Sequence, residues 1–493
     1  MRQETTLPAA PALTEAMLAL RAWRTPDMVL YQHRADEWWV APLEDQLPLV
    51  RLNPIGVELL SAMDGNVTIG TLLERYGDRV CGHDGETGRW QLERWARPEY
   101  SLCYLGAEPP TTDRTGARWD LLLQKIRETW AANAPSEHEA HLPEFHLNDI
   151  LTQEGHFDTI ETTVSHLFRE PSEALDGLTY GRLLARQFRR MGWLTPRPRV
   201  VLEVGGGLGY VAKELAAELA PHERIGLRYL FLDLTYPFLR SQMKLAKEAG
   251  LVRSGLHANA EYLPLQNQSV DLVIDNENLA DMTPVKLTRR EVQAQKGESP
   301  LHQEALDWIR RIRLPLDPDM PEEFIFNLGP FRFVSELWRV LRPGGKAFLV
   351  EFGVETGWPI PVKLPGHTEY EVQYSHLRHA AKWLGFQEQL MALPQFFSMK
   401  PSTRVLCTGA AYAIQRFCQA VGRPFSIRAY TEAELSAALG DMLPKLTGYH
   451  YHDISDPAWF GLWDFKVLLL QKPGGPPRPT ITESKGFRWY SQR

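Results

Sequence analysis

The sequence predicts an α/β fold built on a doubly wound, Rossmann-like sheet, and three stretches carry that prediction. In Arg199–Tyr210 a short apolar run ends in Glu203 and a series of glycines, and helical spacing follows from Val211 to Leu219. Leu227–Leu234 is a second apolar run, with Asp233 near its end. Leu337–Glu351 is a helical segment, a Pro-Gly-Gly turn and another apolar run. Short apolar runs that alternate with helical patterns are the mark of a parallel sheet covered on both faces.

Bulk properties narrow the classes. A chain of 493 residues has room for two or three cores. A hydrophobic share of 44% and a charged share of 23% are those of an ordinary globular protein. A net charge of -7 speaks against a surface that coats nucleic acid. No signal peptide and no membrane-spanning apolar run is read, so a cytoplasmic protein without a membrane partner is expected. Cys81, Cys103, Cys407 and Cys418 lack C-x-x-C spacing, so free thiols and no metal site are expected.

Residues 1–105 are expected to form a small α+β domain. Met28–Val40 and Pro48–Leu52 contain strand-like segments. Ile55, Leu59, Leu60 and Met63 share a helical face, with Gly65 as the stop, and Thr68 is placed to cap the next helix. The stretch L-N-x-x-G-x-x-x-L-x-x-x-D-G-x-x-T over 52–68 resembles the PqqD-like winged-helix-type module. That resemblance implies a peptide-recognition domain, with the leader of a ribosomally made peptide added as a strand to a sheet edge. An unrelated small α+β domain is the alternative. Residues 106–118 read as a linker, and 119–195 as a helical cap region with a helix over Trp119–Ala132 and breaks near Pro171 and Gly177. Residues 196–475 would hold the main domain and 476–493 a tail.

In the glycine stretch, Val200–Val204 reads as a buried strand, and Gly205, Gly207 and Gly209 let the chain turn sharply against a ligand. The helix they open offers free N–H groups to a carboxylate or phosphate. A dinucleotide site wants G-x-G-x-x-G or a final Ala, but counting from Gly205 that place is taken by Tyr210. The pattern Glu203-x-Gly205-x-Gly207-x-Gly209 instead resembles motif I of class I S-adenosyl-L-methionine (SAM) methyltransferases. R-V-L-R-P-G-G over 339–345 is similar to a common form in that superfamily. The resemblance implies a seven-stranded methyltransferase sheet, with Phe465–Gln471 as its last, antiparallel strand. SAM would be held by Glu203 and the three glycines, by Asp233 at the ribose hydroxyls and by Glu261 at the adenine amino group. Asn276 ends the fourth strand beside the cofactor, and Tyr180 lies in a segment that often closes over it. Packing or capping is the alternative for Tyr180.

The chain from Tyr229 to Gln242, Asn276-Glu277 through Val285, and Glu351-Phe-Gly353 resemble the mitochondrial complex I assembly arginine methyltransferase family. This implies methyl transfer to a peptide or protein side chain, arginine preferred. Glu277 would clamp a guanidinium, Asn276 would orient Glu277, and Asp281 would be a second carboxylate. A cofactor contact or helix cap is the alternative for Glu277. His376 is a candidate general base and Glu351 a candidate polar contact. Residues 283–331 and 391–462 are insertions, read as substrate walls. For the second, peripheral decoration or a homodimer contact is the alternative. The competing function is a small-molecule O- or N-methyltransferase whose residues 1–105 serve dimerisation or act as a lid.

Overall fold

A computed structural model describes residues 13, 15–24, 28–42, 49–95, 102–106, 162–194, 198–317, 320–364, 367–456 and 461–474. The expected helix over Trp119–Ala132, the linker beyond Gly106 and the tail lie outside the described residues.

The central sheet has seven main strands: β1 (Val200–Val204), β2 (Arg228–Asp233), β3 (Val252–His257), β4 (Val270–Asn276), β5 (Leu341–Val354), β6 (Gln387–Ala392) and β7 (Phe465–Gln471). Their order is β6-β7-β5-β4-β1-β2-β3. Strands β1 to β5 are parallel, and β7 runs antiparallel to both β5 and β6. The expected count of seven falls short by one, because the short strand Val372–Gln373 pairs with Gly353 and Val354 at the end of β5. The Pro-Gly-Gly turn is taken into β5 as a bulge. Val270 faces Leu341, but Leu272 already faces Lys346, and Gly344 takes a φ of 81°.

Alternation along the strands divides the core. Val201, Ile274 and Phe348 point into one buried cluster with the Tyr180–Arg190 and Tyr210–Ala217 helices. Leu202, Val273 and Leu349 point into the other, with Pro300–Ile312, Leu328–Val340 and Tyr374–Leu384. Both faces are covered, which is why these strands read as unbroken apolar runs. The first insertion holds an antiparallel pair, Val285–Thr288 with Glu323–Phe326, and the helices Arg289–Ala294 and Pro300–Ile312.

The N-terminal segment has its own core around Leu59, Leu60, Leu72 and Trp95. Asn53 caps the Pro54–Ser61 helix by accepting from Gly56 N–H at 3.0 Å. That helix ends before Gly65, which lies instead in the strand Asp64–Thr68 with φ at 80°. A Cβ on Gly65 would come within 2.0 Å of the Trp23 ring, so glycine is needed there for close packing. Thr68 caps Ile69–Tyr76 as expected, accepting from Thr71 N–H at 3.2 Å.

This segment is joined to the rest. Tyr31 and Trp39 pack on Phe417 of the second insertion, at 5.6 and 6.5 Å between ring centres. One edge of the Met28–Arg34, Glu37–Pro42, Val50–Leu52 sheet is closed by Leu446–Thr447, which pairs with Tyr31 and Leu30. At the other edge Leu52 bridges Gly82, and His83 N–H donates to Arg51 C=O at 3.2 Å. A second sheet runs Asp64–Thr68, Arg21–Arg24, Cys103–Gly106.

Candidate functional site

At the carboxyl ends of β1, β2 and β4 the chain forms a cleft that opens to solvent. Ligands of open parallel sheets bind at this end. Gly205, Gly207 and Gly209 adopt φ of 58°, 49° and 92°, the left-handed region that favours glycine. A Cβ on Gly205 would lie 2.7 Å from the Asn278 side chain, and one on Gly209 would lie 2.8 Å from Gln242 Cα. Gly209 is the N-cap of the Tyr210–Ala217 helix, as the sequence predicts.

Glu203 lies beneath the loop, 1% exposed. Its Oε2 accepts from the Tyr229 hydroxyl at 2.5 Å, while the buried Oε1 has no hydrogen-bond partner. Burial pushes its carboxyl up to about 7. An unsatisfied buried acceptor in the cleft wall suits a ligand that brings a cation or donor, and the amino-acid end of SAM supplies an ammonium. Asp275 is likewise pushed up to about 8 by burial. The folded chain holds both protons to higher pH than the reference values of 4.5 and 3.8, at which the unfolded chain releases them. These two carboxyls therefore contribute stability to the ligand-free protein that is lost as pH rises from about 4 towards 8, opposed below about 6.5 by His376, whose pKa burial lowers to about 4. Urea unfolding at pH 5 and pH 8 should show the lower midpoint at pH 8, and Glu203→Gln should shrink the difference.

Asp233 is organised from its own strand end. Oδ1 accepts from Thr235 N–H at 2.8 Å and from its hydroxyl at 3.1 Å, and Oδ2 accepts from Gln242 Nε2 at 2.6 Å. Gln242 Nε2 also donates to Gly207 C=O at 2.9 Å, so one amide couples the glycine loop to the acid that ends β2.

Glu261 lines the cleft, but its carboxylate is engaged. Oε1 accepts from Thr283 N–H and hydroxyl at 2.8 and 2.7 Å, and Oε2 meets Arg332 at 2.6 Å. Arg332 also pairs with Glu304 and has its pKa raised by the two carboxylates. An adenine contact at Glu261 has to share these lone pairs. Removing one partner of a buried ion pair costs roughly 3–5 kcal/mol. Arg332→Met should therefore lower the unfolding midpoint strongly, and a change within error would show that Glu261 does not depend on Arg332.

Asn276 is the hub of the far wall. Its Oδ1 accepts from Tyr180 OH at 2.5 Å, and its Nδ2 donates to Ser165 Oγ at 3.2 Å and Glu277 Oε1 at 2.8 Å. Tyr180 is 1% exposed and edge-on to Phe397, and it is not among the residues lining the cleft. It reaches the site through Asn276. Glu277 sits at φ 58° and accepts from Val164 N–H at 2.7 Å and Ser165 N–H at 3.3 Å. Glu277 thus caps the short helix Val164–Leu167, whose Thr163, Ser165 and His166 line the cleft. Asp281 lines the cleft on the same side. Glu351 does not. It is 2% exposed, accepts from Ala280 N–H at 3.1 Å, and burial drives its pKa well up. His376 is also outside the cleft lining, 7% exposed against Trp358, and burial lowers its pKa to about 4.

Sequence reasoning did not single out Thr163, Ser165, His166, Tyr210, Phe238 or Asn259 as cleft residues. Only Thr163 left a signal, as a β-region N-cap before a short apolar run.

Residues 202–293 match the family model described as a methyltransferase domain. No curated protein matches the chain. Among solved structures the chain is similar to the [4+2]-cyclase SpnF, with 15% identity over 56% of this chain and 76% of that one and a TM-score of 0.29. It is also similar to the 1,6-didemethyltoxoflavin-N1-methyltransferase of Burkholderia thailandensis, crystallised with S-adenosylhomocysteine, with 15% identity over 42% and 70% and a TM-score of 0.26. A third is a phosphoethanolamine N-methyltransferase of Haemonchus contortus, with 16% identity over 66% and 61% and a TM-score of 0.34. Among the described residues no helix is long and apolar enough to cross a membrane.

Proposed function

We propose that this chain, a methyltransferase that takes its methyl group from SAM, delivers it to a cationic nitrogen of a peptide or protein side chain, arginine being preferred. Charge at the end of β4 is the observation that supports this acceptor. Glu277 and Asp281 line the cleft there and supply that charge, while Asp275 and Glu351, buried close behind, have their pKa raised chiefly by burial and hold their protons. Such a wall favours a cation over a neutral or anionic acceptor. When bound, SAM supplies an electrophilic methyl carbon on a sulfonium. The chain must hold the acceptor nitrogen in line with that carbon and relieve it of a proton. A guanidinium is a poor nucleophile because its lone pairs are delocalised. Asp281 pairs with it, localises electron density on the attacking nitrogen, and takes the proton that this nitrogen gives up as its bond to the methyl carbon forms and the carbon–sulfur bond of SAM breaks. Glu277, already bonded to Val164, Ser165 and Asn276, positions the 163–166 wall.

The peptide context is supported by the N-terminal module and its likeness to leader-binding domains. Both edges of its larger sheet are covered by this chain, so a leader strand would add to an outer strand of the smaller one, Asp64–Thr68 or Cys103–Gly106. Tandem mass spectrometry after incubation with SAM tests this, comparing an arginine-bearing precursor peptide encoded beside the gene with free arginine. The peptide should gain methyl mass on arginine, at a kcat/KM about tenfold or more above free arginine. An unmodified peptide alongside a methylated small amine would overturn it. One observation favours that second reading, a small-molecule methyltransferase: the Tyr31, Trp39 and Phe417 contact makes the N-terminal segment part of a shared core.

A further inference from the structure

The second insertion contains a cluster that the cleft does not use. Arg404–Leu406 and Tyr451–Asp453 form an antiparallel pair in which Val405 faces His452. Continuing that register brings Cys407 opposite His450, and Cys407 N–H donates to His450 C=O at 3.1 Å. Residues two apart on a strand share a face. The Cys407 sulfur and the two imidazoles therefore meet on one side. Their candidate ligand atoms all lie within 4.8 Å of one another, and the two rings stand 4.5 Å apart at 78°. Cys407 and His452 are buried, at 8% and 6% exposure.

We propose that Cys407, His450 and His452 bind a borderline transition-metal ion, zinc by preference, at a site distinct from the methyl-transfer cleft. Thiolate plus imidazole is the donor set that zinc takes in tetrahedral sites. With bonds of about 2.3 Å to sulfur and 2.0 Å to nitrogen, donors sit roughly 3.3–3.7 Å apart, so closure asks for shifts of about an ångström. Two further features prepare the site. His452 Nδ1 lies 3.0 Å from an Asp456 carboxylate oxygen, which fixes the ring and turns Nε2 towards the metal. Cys407 is the N-cap of the Thr408–Ala420 helix, so a thiolate there faces the positive end of that helix. Three protein ligands leave the fourth position to water. Bound metal would tie the end of the Tyr451–Asp453 strand to the helix whose Phe417 carries Tyr31 and Trp39. The site would thus be a clasp within the second insertion, on the helix whose Phe417 meets the N-terminal module.

The test uses the full chain, stripped with a chelator and titrated with Co²⁺ alone, then with Zn²⁺. Expected are one Co²⁺ per chain, a thiolate-to-cobalt charge-transfer band in the near ultraviolet, tetrahedral d–d bands in the visible, and displacement by Zn²⁺. Cys407→Ser should remove the charge-transfer band, and His450→Gln should weaken binding about tenfold or more. Both should bind SAM as the parent does, and both should gain less thermal stability from Zn²⁺ than the parent. A parent chain that takes up no stoichiometric Co²⁺ or Zn²⁺ overturns the proposal without recourse to any variant. So does an unchanged charge-transfer band in Cys407→Ser.

Discussion

Gly207→Val should lower SAM affinity by about a hundredfold, equivalent to about 2.7 kcal/mol, while the far-ultraviolet circular dichroism stays that of the parent. Gly207 holds φ at 49°, which costs an L-residue about 1–2 kcal/mol and a β-branched one more. The damage does not stop at the residue. Gly207 C=O is held by Gln242 Nε2, and the same amide holds Asp233. A valine that moves the loop also releases Asp233 at the end of β2, so both groups proposed to meet SAM are disturbed by one substitution. Isothermal titration calorimetry reads the result. Affinity within threefold of the parent would remove the glycine loop from the SAM site.

Glu277→Gln should reduce kcat by about a hundredfold and leave SAM affinity nearly unchanged, since misplacing a reacting group by about an ångström costs that much. The carboxylate accepts three hydrogen bonds, from Val164 N–H, Ser165 N–H and Asn276 Nδ2. An amide has one acceptor oxygen, so its NH₂ must face at least one of those donors. Either Val164 N–H, or Ser165 N–H together with Asn276 Nδ2, then loses its acceptor, so the 163–166 wall or the Asn276 side chain shifts. Steady-state kinetics with the arginine-bearing peptide, beside SAM titration, separates two outcomes. A fall in kcat at constant SAM affinity places Glu277 on the acceptor side. An equal fall in both makes it a wall of the cofactor site.

The fold was legible where burial is two-sided. β1, β2 and β4 announce themselves as apolar runs because helices cover both faces, and the positive φ values of the glycine loop demand the residues found there. β3 was harder, because Val252–His257 is a largely exposed edge strand with no fully buried residue. Val372–Gln373 was missed because two residues leave no periodicity. At the site, strand-end acids could be read from position, but their partners could not. That Glu277 caps a helix more than a hundred positions earlier, or that Arg332 reaches Glu261, depends on tertiary approach between distant segments. The Cys407 cluster was hidden for the same reason. Cysteine spacing carries no trace of a ligand set assembled by strand pairing, and the only local hint was the H-x-H of His450 and His452.

The pairing of Leu446–Thr447 with Met28–Arg34 also has a bearing on biosynthesis. Met28–Arg34 waits for a partner, Leu446–Thr447, that is made much later in synthesis. Until it arrives, the Met28–Arg34 edge has unpaired N–H and C=O groups, and the Tyr31 and Trp39 rings lack their Phe417 cover. Nascent chains are therefore exposed to intermolecular strand pairing until Leu446–Thr447 has been made. Recombinant yield should depend on synthesis rate and chaperone supply more than the stability of the finished protein would suggest.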